Sequence, residues 1–431
     1  MLHFWTEEDL ESPARMAISL TRVFAHRNYA WFVGGGGPSY VTSWMQRVGV
    51  GWLAWELSHS PLWLGIVAAA DLAPMLVLSP FAGALTDRHT PLNIVRRTEF
   101  LLFMQSVALF VFMTLGWLNI GVLVALSLWS GLVYPFHQAA RHSVVPAIVP
   151  REEFATAIAL DSALFQVSRF IGPSIAAIII PLAGVGGTFF AHAIGSAWYV
   201  FSLFKMDVAA PKREPRPGRS IMMDVKEGLA FVGNDIGIWP LFLLLSIASI
   251  LLRPIQDMMP GFAGQVFDSG AVGLAWLTSS MGIGAAVSAV WIASRGRLKG
   301  LTIVVYAGFL GLILSTVAFL VSPNLWIGTI CTGLSGFTLN TMSTSIQALV
   351  QSSLPDNMRG RVMSLYGMIW RGAPAVGALV AGLAAEKFGL RATFEVAAGI
   401  CFIVWALALP LRGRIAHVAE RGRDAPGSRR G

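Results

Sequence analysis

Charge is scarce in this chain. Asp, Glu, Lys and Arg make up 13% of its 431 residues, about half the roughly 25% usual in soluble proteins. Cysteine is nearly absent. Cys331 and Cys401 stand alone in separate apolar stretches, with no CxxC spacing or disulfide framework. The 8 histidines show no HExxH or comparable spacing, and no nucleophile motif accompanies them, which argues against an enzyme. No glycine-rich loop ending in GK[ST] occurs, so neither direct use of ATP nor any other cofactor is expected. The net charge of +8 does not indicate nucleic acid, because the basic residues lie in short loops and form no stripe interleaved with aromatics. Residues 1–28 carry Glu7, Glu8, Asp9 and Glu11 and lack the basic start and apolar run of a cleavable signal peptide. Residues 14–27 within them fit a short amphipathic surface helix.

Hydrophobicity is what the chain has in excess, at 55% of residues and a mean hydropathy of +0.65. A spanning helix takes about 20 mostly apolar residues. Twelve such runs are read, at 29–57, 61–84, 98–117, 119–138, 156–182, 186–204, 238–261, 271–294, 300–321, 324–350, 362–384 and 391–411. The expected fold is therefore an all-α membrane protein. With the N-terminus inside, 25 of the 31 basic residues fall in interior segments, whereas the outside loops hold only Lys387 and Arg391. That bias places both termini in the cytoplasm, in a multi-pass chain of the inner membrane.

The chain also resembles itself. One shift lays Pro150 on Pro355, Leu160 on Leu365 and Gly172 on Gly377, and a shift longer by a single position lays Arg47 on Arg253. Twelve spans then divide into two pseudo-symmetric six-helix bundles, an arrangement that lets similar halves rock about a central site. The expected segments are a cytoplasmic 1–28, a first bundle 29–204 and a linker 205–237 containing "APKREPRPGRS". A second bundle 238–411 and a basic tail 412–431 complete them.

The loop "GALTDRHTPLNIVRR" resembles the loop between helices 2 and 3 of the major facilitator superfamily, with Gly83, Asp87 and Arg88 at its most repeated positions. "WMQRVGVGWLAWELSHSPLWLG" and "VPREEFATAIALDSALFQVSRFIGP" are similar to its secretion-effector branch, which includes enterobactin exporters and macrolide-efflux proteins. The resemblance covers most of residues 20–410. It implies a monomeric secondary transporter that exports a siderophore or drug-like small molecule by alternating access, coupled to protons. An importer on the same fold, or a transport-inactive sensor or assembly protein, are the alternatives. Three departures are visible, the first being Thr42 in helix 1 where the branch often has glycine. His89, Thr90, Pro91 and Leu92 follow Asp87 and Arg88 where the branch usually has further arginines. Helix 4, "LSLWSGLVYP", lacks the arginine typical of proton-coupled drug antiporters.

Ionisable residues inside spans are functional candidates by default. Arg47 and Asp71 lie equally far from the helix 1–2 turn near His59, so an antiparallel hairpin sets them at one depth and pairing is expected. Arg253 and Asp257 share a helix face by their spacing of four. Arg169 and Arg371 occupy corresponding places in the two halves, displaced by about one turn from exact register, with Asp161 two turns before Arg169 and only loosely on its side. Trp44 and Gln46 flank Arg47, and Trp44 is a cavity candidate, whereas Trp52, Trp55, Trp63 and Trp117 suit the outer interfacial belt. Asp71, Asp161 and Asp257 are the expected proton carriers. Gly172 and Pro173 resemble the helix 5 Gly-Pro motif of antiporters, where they bend or pack the helix. The glycines of "VGGGGPSY", residues 33–40, with Pro38, suit a kink or a tight helix contact.

In the resembled superfamily the loop acid, here Asp87, faces the cytoplasmic start of helix 11, where a helix N-terminus favours a carboxylate by about 0.3–1 kcal/mol. Asp87→Asn is expected to lower transport without lowering membrane insertion. Undiminished flux would remove the latch reading of this loop.

Overall fold

In hydrocarbon every backbone N–H and C=O must find its partner inside the chain, and long helices meet that demand locally. The computed structural model describes residues 22–207, 221–235, 237–295 and 298–420. Most of 1–28, the stretch "APKREPRPGRS" and residues 421–431 lie outside them. Among the described residues all regular structure is helical.

The long helices are α1 Arg27–Ser58, α2 Pro61–Arg88, α3 Pro91–Thr114, α4 Ile120–Ile148, α5 Phe154–Ala183 and α6 Gly186–Phe204. After a linker helix, Ile221–Asn234, come α7 Trp239–Val266, α8 Gly270–Arg295 and α9 Leu301–Leu320. Then follow α10 Leu325–Ser353, α11 Asp356–Phe388 and α12 Leu390–Ala408. Eight of these helices, α2, α4, α5, α7, α8, α9, α11 and α12, are long and apolar enough to cross a membrane. The others carry much of the buried polarity: Ser39 and Gln46 on α1, Glu99 and Gln105 on α3, His192 and Ser196 on α6, and Thr341 and Ser345 on α10. Leu182, Val290 and Leu407 are among many apolar side chains left on the outer surface, as in a protein bathed in lipid.

Packing repeats with a step of six helices. The pairs α1–α5, α1–α6, α2–α4, α3–α4 and α3–α6 have counterparts in α7–α11, α7–α12, α8–α10, α9–α10 and α9–α12. Local chemistry repeats at the offset that laid Pro150 on Pro355. Asn119 and Asn324 cap α4 and α10, each accepting from an N–H three residues on at 3.0 Å. Gly131 and Gly336 let α4 meet the backbone of α2 and α10 that of α8. Gly172 and Gly377 do the same for α5 on α1 and α11 on α7, so the helix 5 motif here packs a helix pair. Within "VGGGGPSY", Gly35 lies against α6 and Gly36 against the Arg141 guanidinium, and α1 runs on through Pro38.

The interfaces between the first six and last six long helices are chiefly α2–α11 and α5–α8. At the end of the α1–α2 turn they are tight. Gly65 and Gly382 bring α2 and α11 to backbone contact, and Glu386 accepts from Ser60 Oγ at 2.8 Å. Trp55 is 5% exposed, wedged against Gly261 and Gly264 of α7 rather than in an interfacial belt. One apolar core runs across both halves here, through Trp55, Leu64, Met258 and Leu390. At the opposite end, where the linker attaches, the first half keeps a separate core of Phe32, Val95, Val144 and Leu203.

Four helices depart from the sequence reading. α3 starts at Pro91 and α11 at Asp356, ahead of the read spans, so Arg96, Arg97, Arg359 and Arg361 lie on helices. α4 continues to Ile148 instead of stopping near residue 138, which puts Arg141 on a helix rather than in a cytoplasmic loop. α7 is broken by a π-helical turn, Ala248–Leu252, and a 3-10 turn, Arg253–Gln256.

At the linker end, Glu420 accepts from the N–H groups of Gly300 and Thr302 at 2.7 and 2.9 Å, tying the tail to the start of α9. Partial burial favours its neutral form, but those backbone bonds outweigh it and hold the carboxyl below the usual carboxylate range. A depressed acid stabilises the folded state fully above its ordinary value of about 4.3, and the contribution is lost as pH falls through the lower folded value. Hydrogen exchange at the start of α9 is expected to be slow at neutral pH, faster relative to the free chain in acid, and fast at neutral pH in Glu420→Ala. Equal protection in that variant would contradict the tie.

Candidate functional site

The turn between α1 and α2 is short, with His59 in the left-handed region at φ 47°. It brings the two helices back antiparallel, and Arg47 Nη1 lies 3.6 Å from Asp71 Oδ2. A second carboxylate joins from the other half: Arg47 Nη2 donates to Asp257 Oδ1 at 3.2 Å. Ser130 Oγ of α4 donates to Asp71 Oδ1 at 2.8 Å. The arginine therefore ties α1 to α2 and α7. Its side chain is 44% exposed, although Met45, Gln46, Val48 and Gly49 around it are buried. The open face of Arg47 lies at mid-helix depth, in the space between the halves.

The break in α7 is what delivers Asp257. In a regular α-helix Arg253 and Asp257 would share a face, but π and 3-10 turns change the angle per residue. Asp257 is turned to Arg47. The Arg253 guanidinium donates to the Trp370 carbonyl and lies 4.5 Å from the centroid of that indole.

Two further guanidiniums border the same space. Arg169 of α5 reaches Gln256 Oε1 at 3.4 Å, a second link between the halves. The Trp44 ring has Arg47 and Arg169 each 5.7 Å from its centroid, within cation–π range. Arg371 of α11 has no hydrogen bond or ion pair among the described residues. It sits within electrostatic reach of Tyr134, His142 and Arg253. Four arginines, Arg47, Arg169, Arg253 and Arg371, thus face two carboxylates, Asp71 and Asp257, a surplus of two positive charges with both acids ionised. Such a space favours anions.

Two expected members are elsewhere. Gln46 points into the first half, where its Nε2 donates to Gln105 of α3 at 3.0 Å. Asp161 is bound by Arg141 of α4 at 2.7 Å, not by Arg169. Arg141 is 3% exposed and also donates to the Tyr199 hydroxyl, with its guanidinium carbon 4.4 Å from the Phe32 ring and 4.2 Å from that of Tyr40. Gly83 lies on α2, and the side chains of Asp87 and Arg88 are outside the described residues. Near the start of α11, Arg361 pairs with Glu227 of the linker helix at 2.7 Å. Pro173 lies inside the continuous α5.

Sequence reasoning missed Glu99, which is 2% exposed on α3. The signal was there: a carboxylate just inside the span read at 98–117 meets the same test that singled out Arg47.

If Arg47 and Asp257 act as a unit, their losses are not additive. Arg47→Gln and Asp257→Asn together are expected to lower the melting temperature in detergent by clearly less than the sum of the single changes. Strict additivity would contradict the link.

The profile of the transmembrane secretion effector family matches residues 24–424. The chain is 24% identical over 386 residues to the staphyloferrin A transporter of Staphylococcus aureus, spanning 88% of this chain and 92% of that one. It is 21% identical over 386 residues to macrolide efflux protein A of Streptococcus pyogenes, spanning 88% and 95% of the two chains. In backbone it is similar to the nucleoside transporter NupG, at a TM-score of 0.68 and 12% identity over 89% of this chain and 98% of that one.

Proposed function

The chain belongs to the transmembrane secretion effector family, a group of membrane transporters, and on that premise we propose that it exports a small anionic organic molecule by alternating access. The class includes siderophore-like and acidic drug-like compounds. The observation that carries the reading is the central cluster. One arginine joins both halves, and neighbouring arginines leave positive charge that no residue described there neutralises. A charged group this deep is costly unless paired, so a bound anion completes the site as a counter-ion.

The proposed architecture is twelve spans in two six-helix bundles, 29–204 and 238–411, with both termini cytoplasmic. The helix packing that recurs at a step of six, and the matched caps Asn119 and Asn324, support it. The shared core at the turn end and the separate first-half core at the linker end favour an inward-open state. Closing the linker end would bring Gly83, Asp87 and Arg88 toward the start of α11. Transport then turns on the trade between the Arg47 bridge and substrate. An anion competing for Arg47, Arg169, Arg253 or Arg371 loosens the ties to Asp257 and Gln256 that hold the halves at mid-depth. Energy comes from the proton gradient.

Flux in proteoliposomes tests this, with a panel of carboxylate and catecholate siderophores and macrolides, with and without an imposed pH gradient. Efflux from the linker side, accelerated by a proton gradient, is expected for at least one anion. Arg371→Gln should raise its KM about tenfold, near the 1.4 kcal/mol of one charge-assisted hydrogen bond, and a neutral macrolide should be less affected. Uptake in place of efflux would make the chain an importer, and an unchanged KM for anions would remove the cluster from substrate binding.

A further inference from the structure

The three aspartates expected to carry protons are each matched to an arginine: Asp71 and Asp257 to Arg47, and Asp161 to Arg141. Glu99 differs. No arginine or lysine forms an ion pair with it among the described residues, and its neighbours are hydroxyls and one imidazole. Its Oε1 accepts from Ser39 Oγ of α1 at 3.0 Å and from Ser196 Oγ of α6 at 2.5 Å. Its Oε2 lies 3.6 Å from His137 Nδ1 of α4. Three helices each direct one polar group at one buried carboxyl.

The state of the imidazole follows from its other contact. The Thr98 hydroxyl donates to the Ile94 carbonyl at 2.8 Å, so its oxygen accepts from His137 Nδ1–H at 3.2 Å. Nε2 is then the unprotonated nitrogen of a neutral ring. The other titratable groups around the site come from each packed element. α1 brings Tyr40, α4 brings Arg141, Tyr134 and His142, α5 brings Asp161, and α6 brings Tyr199 and His192. His192 is occupied at 3.2 Å from Thr42 Oγ1. Arg141 and Asp161 cancel, so an ionised Glu99 leaves this interior with one uncompensated negative charge. One proton, on Glu99 or on His137, restores neutrality. An unbalanced charge at this depth is strongly disfavoured.

We propose that Glu99 and His137 form a proton-binding site inside the first six helices, distinct from the carboxylates at the central cluster. The proton resides on Glu99, and when it leaves, a side-chain rotation or one water that closes the 3.6 Å gap lets His137 Nδ1–H donate to the carboxylate. Ser39, which holds Glu99, and Arg47, which joins the halves, are eight positions apart on α1, about 12 Å along one rigid helix. Loss of the proton demands all the hydroxyl donors that the anion can recruit from α1 and α6, and so couples protonation to the seating of α1. This coupling rests on the transport reading above, whereas the site itself does not.

Infrared pH titration of the full chain in lipid nanodiscs reads the site without any flux. The C=O stretch of a protonated buried carboxyl is expected in the wild type, absent in Glu99→Gln, and retained in Asp71→Asn and Asp257→Asn. Ser196→Ala should keep the band but shift its frequency, because one hydrogen bond to the carboxyl is gone. If Glu99→Gln does not purify as a folded protein, wild type labelled with carboxyl-13C glutamate serves instead, and the band should move. A band that survives Glu99→Gln, or that ignores the isotope, overturns the proposal. Failed transport with an intact Glu99 band would count against the proposed function alone.

Discussion

A guanidinium at mid-depth between two carboxylates of different halves is the constraint around which this molecule is arranged. Arg47 cannot face acyl chains without a cost of several kcal/mol. It is therefore held by Asp71 across the α1–α2 turn and by Asp257 across the interface with α7. Its side chain remains 44% exposed, and exposed ion pairs are worth far less than buried ones. A weak bridge suits the opening proposed for this joint. The same residue would make a poor permanent staple, and in this state the halves meet most closely elsewhere, in glycine-mediated contacts such as Gly65 on Gly382 at the turn end.

That division of labour explains the distribution of small and charged residues. Close backbone approach at Gly131, Gly172, Gly336 and Gly377 fixes helix pairs within each half, where dispersion contacts gain most from proximity. Charged residues between the halves are few and clustered. Within the first half, Arg141, Asp161 and Glu99 are buried and are enclosed by hydroxyl and aromatic groups. A buried polar network of that kind rigidifies only when every member is satisfied, and a carboxyl with no cation beside it is satisfied by a proton.

Much of this was legible before any coordinates. Hydrophobic runs located the helices, and equal distances from one turn put Arg47 beside Asp71, because helical rise is a fixed length per residue. The offset of the internal repeat surfaced again in the caps Asn119 and Asn324. What the sequence hid had physical causes. Asp257 could not be assigned to Arg47, since the i, i+4 rule presumes a regular helix and α7 is not one. Arg141 read as a loop charge because α4 continues past its apolar core, and nothing local reveals that Asp161 waits on α5. Gln46 adjoins Arg47 in sequence yet faces about 100° away, as consecutive helical residues must. Family resemblance and site overlapped, because the segments of helices 1 and 5 that carry the resemblance contain Trp44, Arg47 and Arg169 themselves.

Cysteine accessibility decides whether these embedded ions border one aqueous space open at the linker end. With Cys331→Ala and Cys401→Ala as background, Ser130→Cys places one thiol beside Asp71. A membrane-impermeant maleimide applied from the linker side of oriented vesicles should label it, and the same reagent from the opposite side should not. Labelling from neither side, or only by a lipid-soluble reagent, would contradict a shared aqueous space.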